Sequence, residues 1–175
     1  MKLEFGDYMI RNWRPEDAPA LVKYADNRKI WMNLRDAFPH PYRPADAEMF
    51  IARVMKQEPR TIFAVASKTE AIGSIGLGLG IDVHRFSAEL GYWLAEPFWN
   101  KGIMTQAIKA FSDAAFQAFN LHRIYAEPYA GNPASARVLE KAGFVFEGTM
   151  RAHAFKDGRV VDMHLYAKIR PGICV

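Results

Sequence analysis

The run SAELGYWLAEPFWNKGIMTQAIKAFSDAAFQAFNLHRIYAEPY, residues 87–129, narrows the fold more than any other part of the chain. It opens on a strand pattern, SAELGYWLA, passes Gly102 and continues as a helix. Ile103, Ala107, Phe111, Ala114, Ala115 and Ala118 recur at helical spacing and mark its buried face. A second strand pattern, HRIYAEPY, follows. Two strands joined through so long a helix are predicted to lie parallel, because only a crossover connection can join them.

The remaining segments complete a mixed α/β order. IRNWRPEDAPALVKYADN predicts a strand and then a helix, with Pro15 in the first turn and Glu16 and Asp17 at its positive end. PADAEMFIARVMKQ predicts a second helix with Phe50, Ile51 and Val54 on one face. The proline-rich NLRDAFPHPYRP between them predicts an ordered loop. TIFAVAS and AIGSIGLGLGI predict two strands around the turn KTE. PASARVLEKA predicts a short helix stopped at Gly143, and FVFEGTMRAHAF and RVVDMHLYAKI a hairpin turning at Asp157-Gly158. Gly76, Gly78 and Gly80 fall on one strand face; they lack the spacing of a dinucleotide loop and predict a surface closely approached by a neighbour.

Length and composition set the class. The 175 residues suit one domain, 1–175, and the half-apolar, quarter-charged balance is that of a soluble globular chain. No apolar run reaches the roughly 20 residues of a bilayer span. The start, MKLEFGDYMIRNWRPED, lacks an apolar leader core, so the expected location is cytoplasmic. The single cysteine, Cys174, is expected to be an incidental thiol. The net charge of +4 is scattered rather than grouped, which argues against a nucleic-acid arm. The histidines at 40, 84, 122, 153 and 164 make no metal-binding pair, so no metal is expected.

The Gly102 junction has two open readings. Helix starts expose N–H groups and positive potential, and so hold anions. Lys101 adds a charge and Thr105 a hydroxyl. The alternative is a plain turn with an exposed lysine. Downstream, Asn132-Pro133 is a good helix cap, with Ser135 in the first turn.

Taken together, Glu89-Leu90-Gly91-Tyr92-Trp93, Trp99-Asn100-Lys101-Gly102 with Thr105, and Asn132-x-x-Ser135 before Gly143-Phe144 resemble the GNAT superfamily of acyl-CoA-dependent N-acetyltransferases, in its RimJ/RimL-like branch. That branch is named for enzymes that acetylate N-terminal amines of ribosomal proteins. IRNWRPEDA, PHPY and EGTMR…DGRVVDMHLY extend the likeness over nearly the whole chain. Where the family usually has Gly or Ala, this chain has Met104; where it often has Gly and Glu, this chain has Asn100 and Gln106.

The resemblance implies a largely antiparallel sheet of about seven strands with a splayed central parallel pair and about four helices. It implies acetyl-CoA as cofactor, with pantetheine between strands 88–95 and 122–127. Tyr92, Trp93 and Leu94 would supply oxyanion donors. Asn100, Lys101, Gly102, Ile103, Met104 and Thr105 would hold the pyrophosphate, with Met104 weakening it. Asn132 and Ser135 would meet the pantetheine, and Arg137 and Lys141 the 3′-phosphate, if they are more than solvated charges. Glu89 is the candidate base, or else an ion-pair partner of Arg85. Ser135 is the candidate acid, with Tyr129 a second proton donor. Trp31, Phe38, His40 and Tyr42 line the acceptor pocket or belong to the core. The acceptor is a protein or peptide N-terminus, or a small amine such as an amino acid, polyamine or antibiotic. A non-catalytic CoA- or RNA-binding module is the other class, and a homodimer is the implied assembly.

Overall fold

Strand and helix patterns resolve into β1 (Leu3–Phe5), β2 (Tyr8–Arg11), α1 (Ala18–Ala25), α2 (Arg28–Trp31), α3 (Pro44–Lys56), β3 (Ile62–Ala66), β4 (Ala71–Leu79), β5 (Ser87–Leu94), α4 (Ile103–Ala118), β6 (Arg123–Ala126), α5 (Pro133–Lys141), β7 (Val145–Lys156) and β8 (Arg159–Ile169). The computed structural model describes residues Met1–Ile173; Cys174 lies outside them. The strands form one sheet in the order β1-β2-β3-β4-β5-β6-β8-β7, largely antiparallel with β5–β6 as its parallel pair. Among the described residues there are eight strands and five α-helices, against the expected seven and four or so. The extra strand arises because the N-terminal segment folds back at Gly6-Asp7 into the β1–β2 hairpin. The extra helix is α2, capped by Asn27, whose side chain accepts from the Lys29 N–H. No helix among the described residues is long and apolar enough to cross a membrane.

The chain clusters into two compact units. The first comprises Met1–Gly76 and Tyr92–Ala107. Its core gathers Trp13, Leu21, Ala25, Tyr42, Ala47, Ile51, Val54, Ala64 and Ala71, with Phe38, Phe50 and Trp93 packed against them. α3 starts where Pro44 fixes the first turn and the Asp46 carboxylate accepts the Arg43 N–H at 2.8 Å. It buries Ala47, Ile51 and Val54, one stripe at helical spacing. Phe50, expected beside them, meets Trp13 edge-to-face at 5.4 Å. In β4, a Cβ on Gly76 would lie 3.0 Å from Ile62 and from the Thr61 carbonyl, so the expected close approach is real at that position.

The second unit comprises Leu77–Gly91 and the residues from Ile108 onward. Here β5 and β6 pair in parallel, Ser87 with Arg123, Ala88 with Ile124 and Glu89 with Tyr125, as the crossover predicted. β5 then runs on to Leu94. The chain after β6 follows β8 instead: His164 N–H donates to Pro128 O and Ala130 N–H to Asp162 O, each at 2.9 Å, and Tyr129 bridges Met163. Ile108, Phe111, Ala115 and Phe116 are buried on α4, whereas Ala118, predicted to belong to the buried stripe, is exposed at the helix end. The β7–β8 turn has Asp157 and Gly158 at φ 51° and 77°, the left-handed pair that a two-residue hairpin turn requires. Further along, Met150 pairs with Met163 and Ala154 with Val161, so Arg151, Ala152 and His153 stand opposite Asp162 alone. Ala152 is left-handed, φ 51°, and its N–H donates to Asp162 Oδ1 at 2.7 Å.

Candidate active site

In the first unit, the chain leaving β5 is shaped by its own hydrogen bonds. Ala95 N–H donates to Ile72 O at 2.8 Å, Phe98 N–H to Ala95 O at 2.9 Å, and Trp99 N–H to Glu96 O at 3.1 Å. The Trp99 indole N–H reaches back to Leu94 O at 2.7 Å. Asn100 and Gly102 then take φ 61° and 72°, flanking Lys101. The bond from Gln106 N–H to Gly102 O, 3.1 Å, closes the first turn of α4. The N–H groups of Ile103, Met104 and Thr105 precede that bond, where a helix offers no acceptor. Lys101 and Gly102 are exposed, and a Cβ on Gly102 would meet nothing within 4 Å. The side chains of Ile103 and Met104 are 2% and 5% exposed, so both are taken up by packing. Open backbone, a nearby ammonium and the positive end of a 16-residue helix fit an anionic group such as a pyrophosphate.

The same unit assembles the predicted acceptor residues. Trp31 stacks on His40 with centroids 5.6 Å apart. Phe38 meets Tyr42 at 4.9 Å and the Trp93 ring at 5.9 Å, tilted 68°. The PHPY loop is thus joined to the end of β5, where Tyr92 and Trp93 are half-buried and Leu94 is buried. Tyr42 is itself a core residue, and burial pushes its phenol up to about 12. Three polar residues here were missed by motif reading. Asp26 Oδ1 accepts the Tyr42 N–H at 3.0 Å, Asn27 Nδ2–H donates to Glu96 Oε2 at 2.8 Å, and Lys29 pairs with Glu96. Their one local signal is Asn27, a cap-type residue before a short helix. The Lys29 hydrogen bond, then that of Asn27, holds the Glu96 carboxyl below its ordinary range.

In the second unit, Glu89 is half-buried and stands opposite Tyr125 in the parallel register. A Cβ on Gly78 would approach Glu89 Cβ only to 3.9 Å, so the neighbouring strand leaves room beside the carboxylate stem. Arg85, offered above as an ion-pair partner, donates to Asp82 O at 2.9 Å and lies over Phe86. Tyr129, Asn132 and Ser135 share one local framework. Asn132 N–H donates to Tyr129 O at 2.9 Å, and Asn132 Oδ1 accepts the Ser135 N–H at 3.1 Å. Ser135 is half-buried in the first turn of α5, while Arg137 and Lys141 are exposed further along it. Leu139, fully buried, anchors the helix from its other face.

The first unit therefore offers an anion cradle at the start of α4 and aromatic rings adjoining the end of β5; the second, taken by itself, offers a carboxylate on β5 and hydroxyls on and before α5. The family model of the acetyltransferase (GNAT) domain matches residues 8–145, and the chain belongs to that family. It is an N-acetyltransferase, and enzymes of this family take their acetyl group from acetyl-CoA. Among named relatives, the chain is 27% identical over 165 residues to "Uncharacterized N-acetyltransferase p20" of Bacillus licheniformis, covering 92% of each chain. It is 32% identical over 108 residues to the ribosomal-protein-serine acetyltransferase of Escherichia coli strain K12, covering 62% of this chain and 60% of that one. The solved structure of the ribosomal-protein-S5-alanine acetyltransferase from Vibrio fischeri superposes with a TM-score of 0.84 at 27% identity, over 98% of both chains.

Proposed function

We propose that the chain, acting as one acetyltransferase domain in the cytoplasm, acetylates the N-terminal amine of a protein or peptide. The observation that carries this reading is the ring group Trp31–His40 and Phe38–Tyr42, joined to β5 through Trp93. Such a wall suits a peptide end, with apolar faces and the Asp26 carboxylate close to His40. The two relatives that are named for ribosomal-protein acetylation support the same acceptor class.

Acetyl-CoA, when bound, supplies an acetyl thioester open to attack by an amine. The N–H groups at Ile103, Met104 and Thr105, with Asn100, Lys101 and Gly102, hold its pyrophosphate. Arg137 and Lys141 are the cations for its remaining phosphate, and Asn132 holds the pantetheine through Nδ2, since Oδ1 is used as the cap. Backbone N–H groups at Tyr92, Trp93 and Leu94 would stabilise charge developing on the thioester carbonyl oxygen. With acetyl-CoA bound, Glu89 would accept the amine proton, directly or through water, and Ser135 or Tyr129 would supply a proton to the leaving thiolate. The rings of Trp31, Phe38 and His40 orient the acceptor, and Tyr42 belongs to the core.

The test is a thiol-release screen with acetyl-CoA against peptides beginning Ala, Ser or Met, free amino acids, polyamines and aminoglycosides. Release with peptides at least tenfold faster than with small amines is the expected result. A small amine outperforming every peptide overturns the acceptor class. Light scattering on the same sample reads the implied homodimer.

A further inference from the structure

The acceptor rings include one imidazole whose orientation is set by a residue outside every motif. Asp26 follows the end of α1, and its Oδ1 accepts the Tyr42 N–H at 3.0 Å. The same oxygen lies 3.4 Å from His40 Nδ1. Trp31 stacks on the His40 ring, and the Arg28 guanidinium lies over Trp31 at 5.4 Å. His40 thus has an indole across its face and a carboxylate oxygen facing one nitrogen.

A carboxylate can only accept, so Asp26 Oδ1, 3.4 Å from His40 Nδ1, favours a hydrogen on that nitrogen. A neutral imidazole carries one N–H, and placing it on Nδ1 leaves Nε2 with a lone pair. We propose that Asp26 is a positioning residue for the acceptor site. It fixes His40 in the Nδ1–H form, so that Nε2 accepts a hydrogen bond from the attacking amine and turns the amine's own lone pair toward the thioester. The inference rests on the assignment of these rings to the acceptor. No proton is transferred to His40 in this role.

Asp26 also explains how a loop with prolines at 39, 41 and 44 is held in register. One carboxylate oxygen meets both the backbone N–H of Tyr42 and the side chain two residues before it. Tyr42 is anchored in the core, so its N–H gives Asp26 a fixed reference from which to orient His40.

Two measurements test the proposal. In histidine-¹⁵N-labelled protein, long-range nitrogen–proton spectra should show His40 in the Nδ1–H form. Asp26→Ala should return it to the Nε2–H form usual in water, and Asp26→Asn, which keeps an acceptor oxygen, should retain Nδ1–H. In kinetics, Asp26→Ala and His40→Asn should each raise the acceptor KM about tenfold, the worth of one hydrogen bond, with the acetyl-CoA KM within about twofold. Asp26→Asn should recover most of that loss. An Nε2–H His40 in the unaltered protein overturns the proposal, as does an equal rise in both KM values. His40→Asn leaves Asp26 in place and so serves the kinetic arm even where Asp26→Ala does not fold. The acceptor used is whichever amine in the screen is acetylated fastest, so that a small-amine result refutes the peptide reading alone. The spectra judge Asp26 without any acceptor.

Discussion

The indole N–H of Trp99 donates to the carbonyl oxygen of Leu94 at 2.7 Å, so the turn between β5 and α4 is closed by a side chain. Trp99→Phe keeps the ring and removes the donor. The loss is about 1 kcal/mol of stability. Because the turn sets where the first N–H groups of α4 point, acetyl-CoA affinity should fall about three- to tenfold by calorimetry. An unchanged affinity would separate loop closure from cofactor binding.

Met104, in the first turn of α4, is 5% exposed. Its side chain is part of the packing around α4, so Met104→Ala should destabilise the protein by about 2–4 kcal/mol in denaturant titrations. The cofactor contact is assigned to the backbone N–H, which the substitution keeps. Acetyl-CoA affinity is therefore expected to stay within about twofold. A clear gain in affinity would mean that the side chain obstructs the cradle.

Asn132 uses Oδ1 to cap α5, and the proposed pantetheine contact uses Nδ2. Asn132→Asp keeps the cap and removes the amide donor, so stability should hold while acetyl-CoA affinity falls. Asn132→Ala should lose both, with about 1 kcal/mol of stability for the cap. Equal affinity in the Asp variant and the unaltered protein would confine Asn132 to capping.

Tyr42 gives a pH signature. Burial raises its phenol from 10.0 to about 12, so the folded chain favours the neutral form more strongly than the unfolded chain does. The stabilisation is fully present below pH 10 and is lost as pH rises toward 12. Unfolding followed between those limits should show a steeper decline for the unaltered protein than for Tyr42→Phe. Parallel slopes would show that the phenol is not held neutral.

How far the sequence reaches depends on whether a feature is local. The crossover was legible because α4 repeats its apolar residues over four turns, and the Asp157-Gly158 turn because two left-handed residues admit few side chains. The β1–β2 hairpin was not, since strands of three and four residues are too short to show alternation. Among site residues, Asn132 and Ser135 are three apart, and their bond follows from capping chemistry. Phe38 with Trp93, and Asp26 with His40, depend on how a proline-rich loop packs. No periodicity encodes that.

Ala152 carries an evolutionary consequence. A left-handed alanine costs roughly 1–2 kcal/mol, and the Asp162 carboxylate offsets it by holding the Ala152 N–H. Neither residue is then free to drift alone. A lineage that exchanges Asp162 for an apolar residue is expected to acquire glycine at 152 or to delete the bulge, and one with glycine at 152 can relinquish the aspartate. The pair should appear in descendants of this chain as a compensating substitution, visible across generations as well as in a single structure.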